Sequence, residues 1–204
     1  GACTKTVPAA VFSQRAFPRD PTAAFTQGFA EADKQIARTV KQPSGSTGAV
    51  VVVMGNVLLV GNVGDSEAVL ASDVGGETRY TVLTKKHSVS DPEERKRIEA
   101  IDSAIMCGRI MGKLAVARAF GDFEFKGKGK PLVSIVPHVT ARALHPEDHF
   151  LVMGCDGLWD TVTYGDAVRT AEKLRRKGCE PQQIAQALGD LDAPSGSGAT
   201  ADAQ

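Results

Sequence analysis

The sequence predicts an α+β protein built as a layered sandwich, and three observations predict it. Two apolar, β-branched runs, residues 49–54 and 57–63, are separated only by Gly55 and Asn56, the pattern of a tight β-hairpin. A second hairpin pattern follows at 67–71 and 79–83 across Asp73, Val74, Gly75 and Gly76, so the sheet is expected to be mostly antiparallel. Helical periodicities gather before and after these strands instead of alternating with them, which argues against a βαβ crossover fold.

The remaining elements follow in chain order. The start of the chain is broken by Pro8, Pro18 and Pro21 and shows no regular apolar period. Over 22–40, Phe25, Phe29, Ala32, Ile36 and Val40 mark one face of a helix. A Pro-Ser-Gly-Ser linker then enters the first hairpin. Asp91 precedes Pro92, Glu93 and Glu94 and then Arg95, Lys96 and Arg97. An N-cap, a first-turn proline and charges opposing the helix dipole predict a helix to about Ile101. Short strand-like runs occupy 113–117, 132–136 and 150–155, the last of them, FLVMGC, expected as a buried central strand. One closing helix carries Ala167, Ala171 and Leu174 behind a Thr163 cap, and another carries Ile184 and Leu188 behind Pro181. A single domain over 1–192 is expected, with 193–204 a flexible tail or truncated end.

Composition narrows the function. With 204 residues, 42% of them hydrophobic, the chain can bury one sizeable core. The 24 basic and 24 acidic residues cancel, so the charge asks for neither a nucleic acid nor an anionic membrane. The longest apolar run, 49–54, is far short of the roughly 20 residues that span a bilayer, and no signal pattern opens the sequence. Cys3, Cys107, Cys155 and Cys179 form no CxxC pair and are expected as reduced thiols. The expectation is an intracellular, cytoplasmic or nuclear, monomeric protein with no membrane insertion.

Three aspartates stand in glycine-containing turns beside apolar strands: Asp65 in GNVGDSEAV, Asp122 in RAFGDFE and Asp156 in MGCDGLWD, with Asp160 four residues past the last. Carboxylates fixed at strand ends suit hard divalent cations such as magnesium or manganese. Aspartate beside glycine is also ordinary turn chemistry, and spacing alone leaves both readings open. Other candidates are weaker. His145 and His149 flank a proline-containing loop that argues against a zinc pair. SGSTG precedes its strand and lacks the lysine-hydroxyl pair of a phosphate-binding loop. Lys126, Lys128 and Lys130 alternate with Gly127 and Gly129, a pattern read as a mobile basic loop.

Taken in order, SGSTGAV, VGNVGDSEAVL, LTKKHSVSDPEERKRI, GKLAVARAFGD and LVMGCDGLWDTV resemble the successive motifs of the type 2C metal-dependent serine/threonine protein phosphatases, over roughly three quarters of the chain. The resemblance implies a four-layer α-β-β-α sandwich of mostly antiparallel sheets flanked by helices, incomplete here at both ends. It also implies a binuclear manganese or magnesium site, and hydrolysis of phosphoserine or phosphothreonine in phosphoproteins by a metal-activated water without a phosphoenzyme. Carried over by position, Asp156 is the core metal ligand, and Asp65 with Asp156 would hold a weaker third ion. Asp160 is a supporting acid of the same cluster. Arg109 stands in the flap region before GKLAVARAFGD, where a guanidinium can meet substrate phosphate. Arg118 and Asp122, of the RAFGD signature, are taken as structural more than catalytic.

The sequence departs from the family pattern as well. An early acidic strand residue and an Asp-Gly-His-Gly-Gly loop, which supply further ligands and a histidine suited to general-acid work, are absent, and the chain opens Gly1-Ala2-Cys3. At the far end Asp202 and Ala203 stand where an Asp-Asn pair is expected. The sequence reads as cut rather than eroded, and missing edge strands would leave it prone to aggregate. Ile101, Asp102 and Ser103 replace a double glycine before the flap, and Glu67 replaces an arginine. Two functional readings follow: an active phosphatase, or a catalytically inactive phosphatase-like binding or regulatory module.

Overall fold

The computed structural model describes residues 2–40, 43–102, 104–127 and 131–191. Helices α1 (Ala2–Phe12) and α2 (Pro21–Thr39) come first. Strands β1 (Gly45–Ser46), β2 (Gly48–Met54), β3 (Val57–Val63), β4 (Glu67–Val74) and β5 (Glu77–Val82) follow, then helix α3 (Pro92–Glu99). Two-residue strands β6 (Ile105–Met106), β7 (Arg109–Ile110) and β8 (Phe120–Gly121) lead to a 3-10 turn at Phe123–Phe125. The chain continues through β9 (His138–Ala143), β10 (Asp148–Gly154), a short α4 (Asp156–Trp159), α5 (Tyr164–Arg176) and α6 (Pro181–Asp190).

Two three-stranded antiparallel sheets, in the orders β2-β3-β9 and β10-β4-β5, form the centre. Strand alternation sorts their side chains into layers. Leu58 and Val60 of β3 meet Ala68 and Leu70 of β4 between the sheets, with Leu83. The intervening Leu59 and Val63 face Phe25, Phe29 and Ile36 of α2. Val69 and Ala71 of β4 turn the other way, onto Ala167, Val168 and Ala171 of α5 and Leu188 of α6. The result is the four-layer α-β-β-α order expected. Glycine permits the tightest approach between α1 and α2: a Cβ on Gly28 would stand 2.6 Å from the Val11 Cα.

The caps at Asp91 and Thr163 sit where the sequence puts them, and Asp20 adds one that the sequence reading did not name. Asp20 accepts from the Ala23 amide at 2.9 Å, Asp91 from the Glu93 and Glu94 amides, and Thr163 from the Asp166 amide at 3.1 Å. Each replaces a hydrogen bond that the helix itself cannot make. The second hairpin turns through Gly75 and Gly76, at φ +65° and +86°.

Four expectations are corrected. The unpatterned start is helical, with Pro8 inside α1, because Val7, Ala10 and Val11 are buried against α2; tertiary packing outweighs proline's penalty. The runs at 113–117 and 132–136 make only isolated bridges, such as Ser88 with Val116 and Arg118 with Ser134. Their apolar residues fill a third cluster around Ile98 and Val133, so burial rather than pairing gives them their pattern. Among the described residues β10 is an edge strand, not a central one, because it pairs only with β4. Lys126 is no mobile base, since its ammonium is held by Asp33 Oδ2 and the Ala119 carbonyl, both at 2.8 Å. Lys128 and Lys130, Ser103, Asp202 and the tail expected over 193–204 lie outside the described residues.

Candidate functional site

Strand pairing brings the predicted acids together. The β10–β4 ladder ends with Gly154 opposite Glu67. Two residues beyond this end of the ladder, one on each strand's continuation, lie Asp156, at the start of α4, and Asp65, in the turn after β3. Gly64 allows that turn with φ +87°. Asp160 follows one helical turn past Asp156, and its Oδ1 accepts from Lys86 Nζ at 3.1 Å. Burial, and next the negative charge of Asp156, hold the Asp65 carboxyl above its ordinary value, and Asp160 adds to the effect. Lys86 opposes it, and its own ammonium is held charged, chiefly by the Asp160 hydrogen bond.

Beneath this rim lies Glu67, 3% exposed. Its Oε2 accepts from the Tyr164 hydroxyl at 2.8 Å, while Oε1 has no hydrogen-bond partner. Burial raises its carboxyl, and Asp65 and Asp160 push in the same direction. The Tyr164 hydroxyl is in turn pushed up to about 12, by burial first and then by its bond to Glu67. Carboxylates in one another's field, one carrying an unpaired buried oxygen, are hard oxygen donors of the kind magnesium or manganese takes, but among the described residues no three of their ligand atoms lie within 4.8 Å of one another.

The structure does not unite every predicted residue. Asp122 sits at φ +49° beside Gly45, in the field of Lys126, Glu124 and Asp33, as a turn residue would. Arg109 lies on the exposed β6–β7 hairpin and donates from Nη1 to the Lys113 carbonyl at 2.9 Å. Another acid-rich group, Asp73, His149 and Glu172, lies at the opposite end of β4 and β10. Glu172 already accepts from Arg175 and Arg176 at 2.6–3.0 Å, and those arginines hold its carboxyl down at about 2. That group is an ion-pair network with its charge met. A cavity of about 540 Å3 runs along β10 against α5 and α6. It is lined by apolar side chains such as Leu151, Ile184 and Leu188, with no carboxylate, and so offers no cation site.

Sequence reasoning missed Lys86 and His87, the pair that follows Lys85 in LTKKHSVSD. His87 is fully buried, and neither ring nitrogen has a hydrogen-bond partner. Burial, with help from Arg118, lowers its pKa to about 4; Glu94 opposes that shift, and His138 and Lys85 reinforce it. The unfolded chain binds a proton near the ordinary histidine value of 6.5 that the folded chain refuses. Stability is therefore fully present above pH 6.5 and is lost as pH falls towards 4, by about 3 kcal/mol in all. Urea unfolding across this window will show the loss, and His87→Phe will flatten the slope. An equally steep slope in the variant would trace the acid sensitivity to other groups.

The model of the protein phosphatase 2C family matches residues 2–200. The chain belongs to this family. Protein spalten of Dictyostelium discoideum is 37% identical over 86% of this chain and 19% of its own length. Probable protein phosphatase 2C 8 of Arabidopsis thaliana is 32% identical over 81% of this chain and 50% of its own. The chain thus spans half or less of these curated relatives. Serine-threonine phosphatase 2C from Toxoplasma gondii superimposes with a TM-score of 0.75 at 21% identity, over 92% of this chain and 72% of that structure. This likeness supports the protein phosphatase 2C fold, in agreement with the four layers. Protein phosphatase 2C enzymes are metal-dependent. No helix among the described residues is long and apolar enough to cross a membrane.

Proposed function

We propose that the chain acts as a serine/threonine protein phosphatase on phosphoserine and phosphothreonine in other proteins. The observation that carries this reading is the convergence of Asp65, Asp156 and Asp160 at one end of the β4–β10 ladder in a chain matched by the phosphatase family model.

Asp156 would be the core ligand of the manganese or magnesium ions, two of them, and with Asp65 would hold a weaker third, Asp160 being a supporting acid of the same cluster. Such ions acidify a bound water and offset charge on phosphoryl oxygens. The chain's own part is to fix its carboxylates before any ion arrives, through the ladder and through α4, so that little reorganisation accompanies binding. Arg109 is assigned to the substrate phosphate, which its exposed hairpin can approach from solvent. A monomer in the cytoplasm or nucleus completes the proposal.

A second reading, a phosphatase-like binding module without catalysis, is favoured by one feature: Asp160 already pairs with the chain's own Lys86. Phosphate release from a phosphothreonine peptide, with manganese and then with a chelator, separates the two. Chelator-sensitive turnover is expected. No release at any manganese concentration would leave the binding module.

A further inference from the structure

We infer that Lys86 is a built-in counter-cation of the acid cluster, competing with a divalent ion for the Asp160 side of the site and keeping affinity there weak. The inference rests on the reading of Asp65, Asp156 and Asp160 as cation ligands.

The base of Lys86 is rigid. Asn62, fully buried, donates from Nδ2 to the Lys85 carbonyl at 2.8 Å and accepts from the Lys85 amide at 3.2 Å. On the other side the His87 amide donates to the Gly64 carbonyl at 2.9 Å, next to Asp65, and the His87 carbonyl accepts from Ala117 at 2.9 Å. Lys85 is drawn towards Asp91 and Glu93, which leaves Lys86 to meet the cluster. Its stem ends 3.1 Å from Asp160 with 41% of the side chain exposed, so the head can leave while the base stays.

A second acceptor lies close by. The ammonium is in the field of Glu67 as well as of Asp65 and Asp160, and Glu67 Oε1 is buried without a partner. An ammonium displaced by a divalent ion has that oxygen to turn to. Lysine suits the role because its charge is compact and its stem flexible. Against an ion of charge two at roughly 5 Å in a well-solvated rim, its single charge weakens binding about tenfold.

Manganese binding by the full chain, read from the spin-resonance signal of the free ion, tests the inference without reference to turnover. Lys86→Met is expected to tighten the weakest manganese affinity about tenfold, Lys86→Gln to do the same, and Lys86→Arg to stay within about twofold of the parent. Adding Asp160→Asn to Lys86→Met should remove the gain. If the Lys86→Met and parent isotherms superimpose while Asp156→Ala weakens binding, the role of Lys86 is overturned and the metal site stands. If Asp156→Ala also changes nothing, or no protein binds manganese, the metal reading falls and the role of Lys86 falls with it.

Discussion

Asp156→Ala is expected to lower manganese-dependent phosphate release by about a thousandfold or more, the loss of roughly 4 kcal/mol of transition-state stabilisation. Folding will not account for it. Asp156 is exposed, and its side chain accepts only from the adjacent Gly157 amide, at 2.9 Å. Its negative charge is also the second-largest cause of the raised Asp65 carboxyl, so removing it relieves a repulsion. The melting temperature should therefore hold or rise slightly while activity disappears, the signature of a site assembled at the expense of stability. Asp156→Asn should behave alike, since it keeps the shape and loses the charge. Retention of more than about a tenth of parental turnover would remove Asp156 from the metal centre.

The largest loss of stability is expected at Glu94, on α3 but 1% exposed. Its Oε2 accepts from Arg97 at 3.0 Å and its Oε1 from Arg118 at 2.7 Å. The same two arginines reach the carbonyls of Ala117, Pro131, Leu132 and Val136. Among the described residues Glu94 is thus the only negative centre in a knot tying α3 to two segments with almost no strand pairing. Breaking such a pair leaves guanidinium charge partly desolvated and costs about 3 kcal/mol. Glu94→Ala should melt roughly 6–12 °C below the parent, with amide exchange accelerating first around 117–118 and 131–136. A shift under about 2 °C would mean that solvent already meets the charge of the arginines.

Much of this was legible in the sequence, and the parts that were not share a cause. Both hairpins could be read because turn glycines and strand alternation are local properties. Helix α2 was legible through its buried stripe from Phe25 to Ile36. Helix α1 was not, because Pro8 is a local warning and the close contact of Val11 with Gly28 is a distant fact. The runs at 113–117 and 132–136 misled because a buried irregular segment and a strand carry the same apolar pattern. Strand β9 passed unnoticed because His138, Thr140 and Arg142 interrupt its apolar residues.

At the site, the turns of Asp65 and Asp156 were visible one by one. Their adjacency depends on the pairing of strands far apart in the sequence, β4 and β10, which the motif order of the family implied and spacing could not. Lys86 was invisible because its sign is opposite to the pattern sought, and because its reach depends on Asn62 and Gly64 pinning the loop at its base.

The register that joins Asp65 to Asp156 also acts as a gauge. Neighbouring strands keep a separation of about 5 Å whatever their side chains, so the distance between the two strand ends that lead to these residues, Glu67 and Gly154, is inherited from peptide geometry. Substitutions on the exposed faces of β4 and β10 can therefore accumulate without altering that distance. A slip of the β10–β4 pairing by a single residue, in contrast, would reset it at once and turn the buried faces of Val69 and Val152 towards the wrong layer.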